Sequence, residues 1–244
     1  MTVPGKDSAR GNGTARDDTV PDRASSYFRA LHELLGRAAA TDGDGAPIDF
    51  DEGARSAVRR LLAARDAGHK AMVIGNGGSA AIASHLQNDL GKTVELRALV
   101  FNEPATLTAR SNDDGYERAF EAQLCQWADP GDVLIAISSS GASENILRAV
   151  RAARARSLSI ITMSGFAADN PLRQLGNVNF YVPIDHYGHV ELAHQILAHY
   201  LTDTAETQLK RQEARSDELA AHLGDGGSWV CGRRSRIETP RSRT

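Results

Sequence analysis

Short runs of β-branched and aliphatic residues alternate, through the middle of the chain, with segments in which apolar residues recur every three or four positions. Such apolar runs are typical of strands buried on both faces, and the longer spacing is typical of amphipathic helices. Their alternation indicates a parallel sheet with helices on both faces. The predicted strands are 70–75, 97–101, 132–138, 158–163 and 178–183, and the predicted helices are 79–91, two short ones within 105–128, 143–155 and 188–210.

Two more amphipathic helices are predicted before the first strand. Residues 23–40 carry spaced apolar side chains from Tyr27 to Leu35, and residues 50–67 carry a similar stripe that includes Val58. A helix with one apolar face must bury that face against another element. We expect these two helices to pack on a partner subunit as well as on their own chain.

Composition and charge narrow the class of protein. The chain has 244 residues, 41% hydrophobic residues and a formal net charge of −3, which favours one globular domain and gives no basic field for a nucleic-acid partner. Cys125 and Cys231 are too few for a disulfide framework and lack the spacing of a cysteine zinc site. No signal-peptide pattern or membrane-spanning apolar segment occurs. We therefore expect a cytoplasmic protein without a membrane partner, whose domain at 24–210 lies between a disordered tail at 1–23 and a disordered extension at 211–244.

Two loops rich in glycine and serine follow two of the predicted strands and precede two of the helices. Loop 75–79 reads Gly-Asn-Gly-Gly-Ser, and loop 138–143 reads Ser-Ser-Ser-Gly-Ala-Ser. Glycine lets the backbone approach a ligand, and the start of a helix presents free N–H groups to an anion. In a parallel sheet both loops open at the same edge, which predicts one shared phosphate pocket. The alternative is that these residues only form tight turns and helix caps, with Ser79 and Ser143 as capping residues.

Possible metal ligands lie on two of the predicted helices. His85 and Asp89 are four residues apart and share a helix face, and Glu191 and His199, eight residues apart, form a stripe along the last helix. Two imidazoles and two carboxylates are a ligand set that suits a zinc-like ion. His194 points about 140° away from His199 on an ideal helix, so we do not expect both to reach one ion.

Together with the pair Asn112 and Asp113, these motifs resemble the phosphoheptose isomerases, which are sedoheptulose 7-phosphate isomerases of the sugar isomerase (SIS) domain superfamily. The resemblance extends over residues 24–210. It implies an α/β fold of the SIS type, a three-layer α/β/α sandwich with a five-stranded parallel sheet, in which N-terminal helices join a homotetramer with active sites between subunits. The motifs that carry it are loop 75–79, His85 with Asp89, Asn112 with Asp113, loop 138–143, and Glu191 followed by His194 and His199.

The resemblance also implies roles for individual residues. The implied zinc ligands are His85, Asp89, Glu191 and His199. A glutamate is usual in the family where Asp89 stands, and a glutamine where Glu191 stands, so this chain has a shorter carboxylate at the first position and an additional one at the second. The implied substrate-binding residues are Asn76, Gly77, Gly78, Asp89, Asn112, Asp113, Glu191 and four serines that would bind the phosphate, Ser138, Ser139, Ser140 and Ser143.

The implied reaction converts sedoheptulose 7-phosphate into D-glycero-D-manno-heptose 7-phosphate through an enediol intermediate. Proton transfer between adjacent carbons needs a base and an acid, and Asp89 and His199 are the candidates for this catalytic pair. One zinc ion per subunit would polarise the carbonyl group. Two alternatives stay open at this point: an isomerase of another long-chain sugar phosphate, such as an octulose 8-phosphate, and a non-catalytic SIS scaffold or sugar-phosphate sensor.

Overall fold

The computed structural model describes residues 23–223. Residues 1–22 of the predicted tail and residues 224–244 of the predicted extension lie outside the described part of the chain. The helices are α1 (Ala24–Leu35), α2 (Phe50–Asp66), α3 (Gly78–Lys92), α4 (Pro104–Asp114), α5 (Ala119–Trp127), α6 (Glu144–Ala155) and α7 (Tyr187–Leu223), with short 3₁₀ helices at Tyr116–Arg118 and Pro171–Gln174. The strands are β1 (Ala39–Asp42), β2 (Pro47–Ile48), β3 (Lys70–Gly75), β4 (Arg97–Val100), β5 (Val133–Ser138), β6 (Ser159–Ser164) and β7 (Val178–Tyr181).

All seven strands form one sheet, in the order β2-β1-β7-β6-β5-β3-β4. The five strands from β7 to β4 are parallel to their neighbours, as the alternating pattern predicts. The loops after β3 and β5 leave the same edge of the sheet because these two strands are adjacent and in register, with Gly75 opposite Ile137.

The other two strands correct the prediction of a five-stranded sheet and of a helix that continues to residue 40. Helix α1 ends at Leu35, and β1 pairs antiparallel with β7 and with β2. The turn of this hairpin is closed by Asp42, whose Oδ1 accepts hydrogen bonds from the backbone N–H groups of Asp44 and Ala46 at 3.0 and 2.9 Å. These strands have only four and two residues, so they are too short to give an alternating pattern in the sequence.

Helices cover both faces of the sheet, which confirms the predicted α/β class. On one face, the side chains of Met72 and Leu134 belong to an apolar cluster with buried residues of α5 and α6, including Phe120 and Val150. Helix α2 contacts β1, β3, β5 and β7 and buries a separate set of side chains. Every residue of β5 is buried, as expected for a central strand covered on both sides. The loops that follow β3 and β5 therefore start from the buried centre of the sheet.

The last helix is longer than its sequence pattern predicts. Helix α7 continues to Leu223 rather than ending near residue 210, so residues 211–223 of the predicted extension are helical. No glycine or proline interrupts the sequence from residue 189 to residue 223, which explains why the helix is not broken there. Of the described residues, 23–206 belong to one compact unit and 207–223 belong to a second.

Candidate active site

Both glycine- and serine-rich loops line one pocket at the carboxyl edge of the parallel strands. The pocket has a volume of about 210 Å³, and the start of α7 completes its wall. Its lining residues are Asn76, Gly77, Gly78, Ser79, Ser138, Ser139, Ser140, Ser143, Tyr187 and Glu191. The structure thus brings together the shared crevice that the topology predicts.

The helix-capping alternative does not account for these serines. Ser143 occupies the N-cap position of α6, but its side chain makes no capping hydrogen bond. Helix α3 begins after Gly77, which has no side chain to cap it. Ser139 is 5% exposed, and its hydroxyl oxygen is buried without a hydrogen-bond partner among the described residues. Because buried polar atoms in proteins are nearly always bonded, a hydroxyl in this state at a pocket wall fits a site for an oxygen-rich ligand.

The serine loop depends on a glycine at its turn. Gly141 has a φ of 62°, which favours glycine, and a Cβ atom at this position would overlap the side-chain oxygen of Asn170. Asn170 is itself held in place, since its Nδ2 donates to the carbonyl oxygens of Gly165 and Ala167 at 3.1 and 2.8 Å. The loop can therefore adopt this shape only without a side chain at position 141.

The electrostatic character of the pocket comes from neutral donors and one carboxylate. The N-termini of α3 and α6 both start at the pocket wall, where helices present free N–H groups. Among residues 23–223, Glu191 is the only carboxylate that lines the pocket, and it lies directly against Gly78, where a Cβ atom would overlap it. Position 78 therefore has to be glycine while Glu191 occupies this place.

Three of the four predicted metal ligands converge on one point. Each of the residues His85, Asp89 and His199 offers one ligand atom, and these atoms lie within 4.8 Å of one another. Asp89 Oδ2 lies 3.3 Å from His85 Nε2 and 3.7 Å from His199 Nδ1, so the carboxylate stands between the two rings. Both imidazoles are about half exposed, at 51% and 47%, whereas the Asp89 side chain is 18% exposed. Asp89 of α3 therefore faces His199 of α7, which places the proposed acid and base next to each other.

Glu191 does not join this cluster within the chain. It shares a face of α7 with His199, but eight residues of helix separate the two by about 12 Å along the axis. A common helix face is thus insufficient for a common metal ion. The structure places the Glu191 carboxylate at the serine-lined pocket instead.

The predicted pair at the end of α4 also lies apart from the pocket. Asn112 and Asp113 are both exposed, and Asn112 Nδ2 donates to Asp113 Oδ1 at 2.9 Å. Neither lines the pocket of this chain. Three residues near the pocket lie outside every predicted motif: Tyr116, Asn145 and Tyr187. The sequence feature that could identify Tyr116 and Asn145 as site residues is their proximity to Asp113 and Ser143, respectively.

The prediction that His194 points away from His199 agrees with its place in the structure. The His194 side chain is fully buried, and its Nε2 donates to the carbonyl oxygen of Ser164 at 3.2 Å. Burial lowers the pKa of His194 from 6.5 to about 4, against the opposing effect of that hydrogen bond. The ring is thus a neutral part of the core at neutral pH.

This depressed pKa predicts an acid-sensitive contribution to stability. The unfolded chain binds a proton at His194 below pH 6.5, whereas the folded chain does so only near pH 4. Stability from this residue is therefore complete above pH 6.5 and is lost as the pH falls towards 4, by about 3 kcal/mol in total. Urea unfolding at pH 7.5 and pH 4.5 should show a smaller acid loss for His194→Gln, whose amide can donate to Ser164 without titrating. Equal losses in both proteins would contradict the assignment.

None of the helices between residues 23 and 223 combines the length and the apolar character needed to cross a membrane.

Comparison with known proteins agrees with the fold and the loops. Residues 27–165 match the SIS domain family, more than half of the chain, which defines a SIS domain protein. The chain is 34% identical over 196 residues to the phosphoheptose isomerase of Thiobacillus denitrificans, covering 77% of this chain and 95% of that protein. It is 36% identical over 155 residues to that of Rhodospirillum rubrum, covering 61% and 82%. The chain therefore belongs to the phosphoheptose isomerase family of SIS domain proteins.

Solved structures give the same result. The phosphoheptose isomerase from Neisseria gonorrhoeae superposes with a TM-score of 0.66 at 26% sequence identity, and the match covers 76% of this chain and 98% of that one. The fold of this chain therefore matches nearly the whole length of the solved relative.

Proposed function

We propose that this protein is an aldose–ketose isomerase that converts sedoheptulose 7-phosphate into D-glycero-D-manno-heptose 7-phosphate. The observation that carries the proposal is the combination of a serine-lined pocket with a separate His–Asp–His cluster in a chain of the phosphoheptose isomerase family. A sugar phosphate has an anionic end that must be bound and a carbonyl end that must react, and the two groups of residues correspond to these two tasks.

The serine pocket is the proposed phosphate site. Ser138, Ser139, Ser140 and Ser143 supply hydroxyl donors, and the start of α6 supplies backbone N–H groups. Asn76, Gly77 and Gly78 would contact the sugar. Binding energy from the phosphate is gained away from the reacting carbons, and it fixes their position relative to the acid and the base.

Asp89 and His199 are the proposed proton-transfer pair. A base removes a proton from C1 of the ketose while an acid protonates the carbonyl oxygen at C2, which gives the enediol. Returning a proton to C2 and removing one from the C1 hydroxyl completes the aldose. The 3.7 Å between Asp89 Oδ2 and His199 Nδ1 lets the two groups act on neighbouring atoms.

The same cluster has the composition of a zinc site. His85, Asp89 and His199 supply two imidazoles and a carboxylate with converging ligand atoms, which is the three-ligand set that leaves a position open for substrate. A zinc ion bound there would polarise the C2 carbonyl oxygen. Asp89 is shared between this role and proton transfer, and a carboxylate committed to a metal is a weaker base.

Metal binding can be tested without measuring activity. We expect the purified protein, loaded with zinc and dialysed, to retain about one zinc ion per chain, because three protein ligands suffice for a site of this type. Elemental analysis should show loss of this ion in His85→Ala. His32→Ala, which removes an exposed histidine of α1, should retain it. Equal zinc content in both variants would contradict the site.

The reaction itself is tested by incubating the protein with sedoheptulose 7-phosphate, with and without added zinc, and following the aldose signals by NMR. Conversion is the expected result. No conversion under either condition would favour the non-catalytic scaffold, and conversion of an octulose 8-phosphate alone would favour the isomerase of a longer sugar.

The assembly we propose is a cytoplasmic homotetramer. Phe28 of α1 is 66% exposed, and Ile196 and Tyr200 of α7 are 45% and 46% exposed, which leaves an apolar surface on these helices. His199 precedes Tyr200 on α7 and is half exposed, as is His85 on α3. A neighbouring subunit on this surface would cover both the apolar side chains and the reacting cluster.

A further inference from the structure

Three hydrogen-bonded side chains connect the two loops of the pocket to the segment that follows α4. Asn76 belongs to the first loop, Asn145 to the first turn of α6, and Tyr116 to the 3₁₀ helix Tyr116–Arg118. The two amides exchange hydrogen bonds: Asn76 Nδ2 donates to Asn145 Oδ1 at 3.0 Å, and Asn145 Nδ2 donates to Asn76 Oδ1 at 2.9 Å. The Tyr116 hydroxyl donates to Asn76 Oδ1 at 2.7 Å.

The direction of every hydrogen bond in this group is fixed by the backbone. The N–H of Ile146 is shared between the carbonyl oxygen of Ser143 and Asn145 Oδ1, each at 3.0 Å, and because a backbone N–H can only donate, the side-chain atom it meets must be the amide oxygen. Asn145 then offers its Nδ2 to Asn76, so the atom of Asn76 that receives it must also be an oxygen. The Tyr116 hydroxyl meets that same oxygen and therefore acts as a donor.

This arrangement decides which group Asn76 can offer to a ligand. Its Oδ1 accepts two hydrogen bonds, from Asn145 and Tyr116, while its Nδ2 uses one of two hydrogens. Asn76 lines the pocket, so the group it has left for an occupant is an N–H donor and not a carbonyl acceptor. Phosphate and sugar oxygens are acceptors, and a donor is the group they require.

We infer that Tyr116 and Asn145 are positioning residues that hold the Asn76 amide in its donor orientation for the sugar phosphate. The inference rests on the proposed function for its substrate. Asn145 is 3% exposed, whereas Tyr116 is 49% exposed and, in the described part of the chain, its hydroxyl bonds to the pocket through Asn76 alone. A rotated Asn76 amide would place its N–H groups against Asn145 Nδ2, which can only donate, and it would remove the oxygen to which the Tyr116 hydroxyl donates.

The test compares two tyrosine variants that lose the same kind of hydrogen bond. Tyr116→Phe removes the 2.7 Å bond to Asn76, and Tyr181→Phe removes a 2.7 Å bond to the carbonyl oxygen of Phe166, a pair of residues that does not line the serine pocket. We expect kcat/KM for sedoheptulose 7-phosphate to fall about three- to tenfold in Tyr116→Phe, the range that one hydrogen bond produces. Tyr181→Phe should stay within about twofold of the wild type. Equal activities in the two variants would overturn the inference.

A double-mutant cycle separates positioning from a direct contact. If Tyr116 acts only through Asn76, then Tyr116→Phe should cause no further loss in an Asn76→Ala background, because the side chain it positions is absent. Losses that multiply in the double variant would show that Tyr116 acts independently of Asn76, and the inference would be overturned.

A spectroscopic readout distinguishes failure of this inference from failure of the proposed function. In protein labelled with ¹⁵N-asparagine, the Asn76 side-chain amide signals are assigned by their absence in Asn76→Ala. We expect these signals to shift in Tyr116→Phe and to stay in place in Tyr181→Phe. If the wild type is inactive but the signals shift in Tyr116→Phe, the isomerase function is rejected and the amide network is retained. If the wild type is active but the signals do not shift in Tyr116→Phe, the isomerase function is retained and the amide network is rejected.

Discussion

His199→Ala should reduce kcat for sedoheptulose 7-phosphate by about 10²- to 10⁴-fold, the usual contribution of a positioned acid or base. His199 Nδ1 lies 3.7 Å from Asp89 Oδ2, and the variant removes one member of the proton-transfer pair together with one proposed zinc ligand. The His199 side chain is 47% exposed, and alanine is a strong helix former, so the fold should be retained. Steady-state kinetics by NMR or a coupled assay, together with thermal unfolding, checks both parts.

Two further variants make this result specific. Asp89→Asn should cause a loss of similar size, and combining it with His199→Ala should add little, because residues that act as a unit are strongly non-additive. His32→Ala removes an exposed histidine from α1 and should leave kcat unchanged. A His199→Ala protein that keeps its fold and most of its turnover would remove His199 from the mechanism.

Gly141→Ala should have the largest effect on the phosphate site. The new Cβ would require a φ of 62°, which costs about 1–2 kcal/mol for alanine, and it would overlap the side chain of Asn170. Relief of this overlap adds about 1–3 kcal/mol, because Asn170 is held by its own hydrogen bonds. The free energy of unfolding should therefore fall by about 2–5 kcal/mol. Since Ser140 and Ser143 flank the turn, KM should rise by about tenfold or more through lost hydrogen bonds to a charged group.

Gly45→Ala is the matched control for this variant. Gly45 also has a positive φ, of 81°, but a Cβ there would meet no atom within 4 Å. It should lose only the backbone contribution of about 1–2 kcal/mol and keep the KM of the wild type. Urea unfolding and steady-state kinetics on both variants separate backbone strain from displacement of the serine loop. Equal KM values in the two variants would show that the turn at Gly141 does not shape the phosphate site.

Much of the fold could be predicted because the parallel core follows simple periodic patterns. Strand β3 occupies residues 70–75, as predicted, and β5 starts one residue later than its prediction at 132–138. Their continuous apolar runs reflect burial on both faces. The hairpin of β1 and β2 could not be predicted in this way, because it is stabilised by pairing with the distant strand β7 and by a turn at Asp42 rather than by its own pattern.

The candidate site likewise has parts that the sequence predicts and parts that it does not. Because parallel strands bring their carboxyl ends to one edge, the sequence alone predicts that loops 75–79 and 138–143 share a pocket. The four-residue spacing of His85 and Asp89 likewise predicts their common face on α3. Glu191 is implied both as a metal ligand and as a substrate-binding residue, and its place at the pocket fits the second role, because about 12 Å of helix axis separates it from His199.

The sequence by itself determined the order of strands and helices in the parallel core, the two loops, and the residue types available for phosphate and metal binding. Only the tertiary structure decided that His199 meets Asp89 while Glu191 lies at the pocket, and that Tyr116 and Asn145 converge on Asn76. The physical reason is that periodicity reports how each segment is buried, whereas contacts between segments depend on how helices cross and where loops end in space.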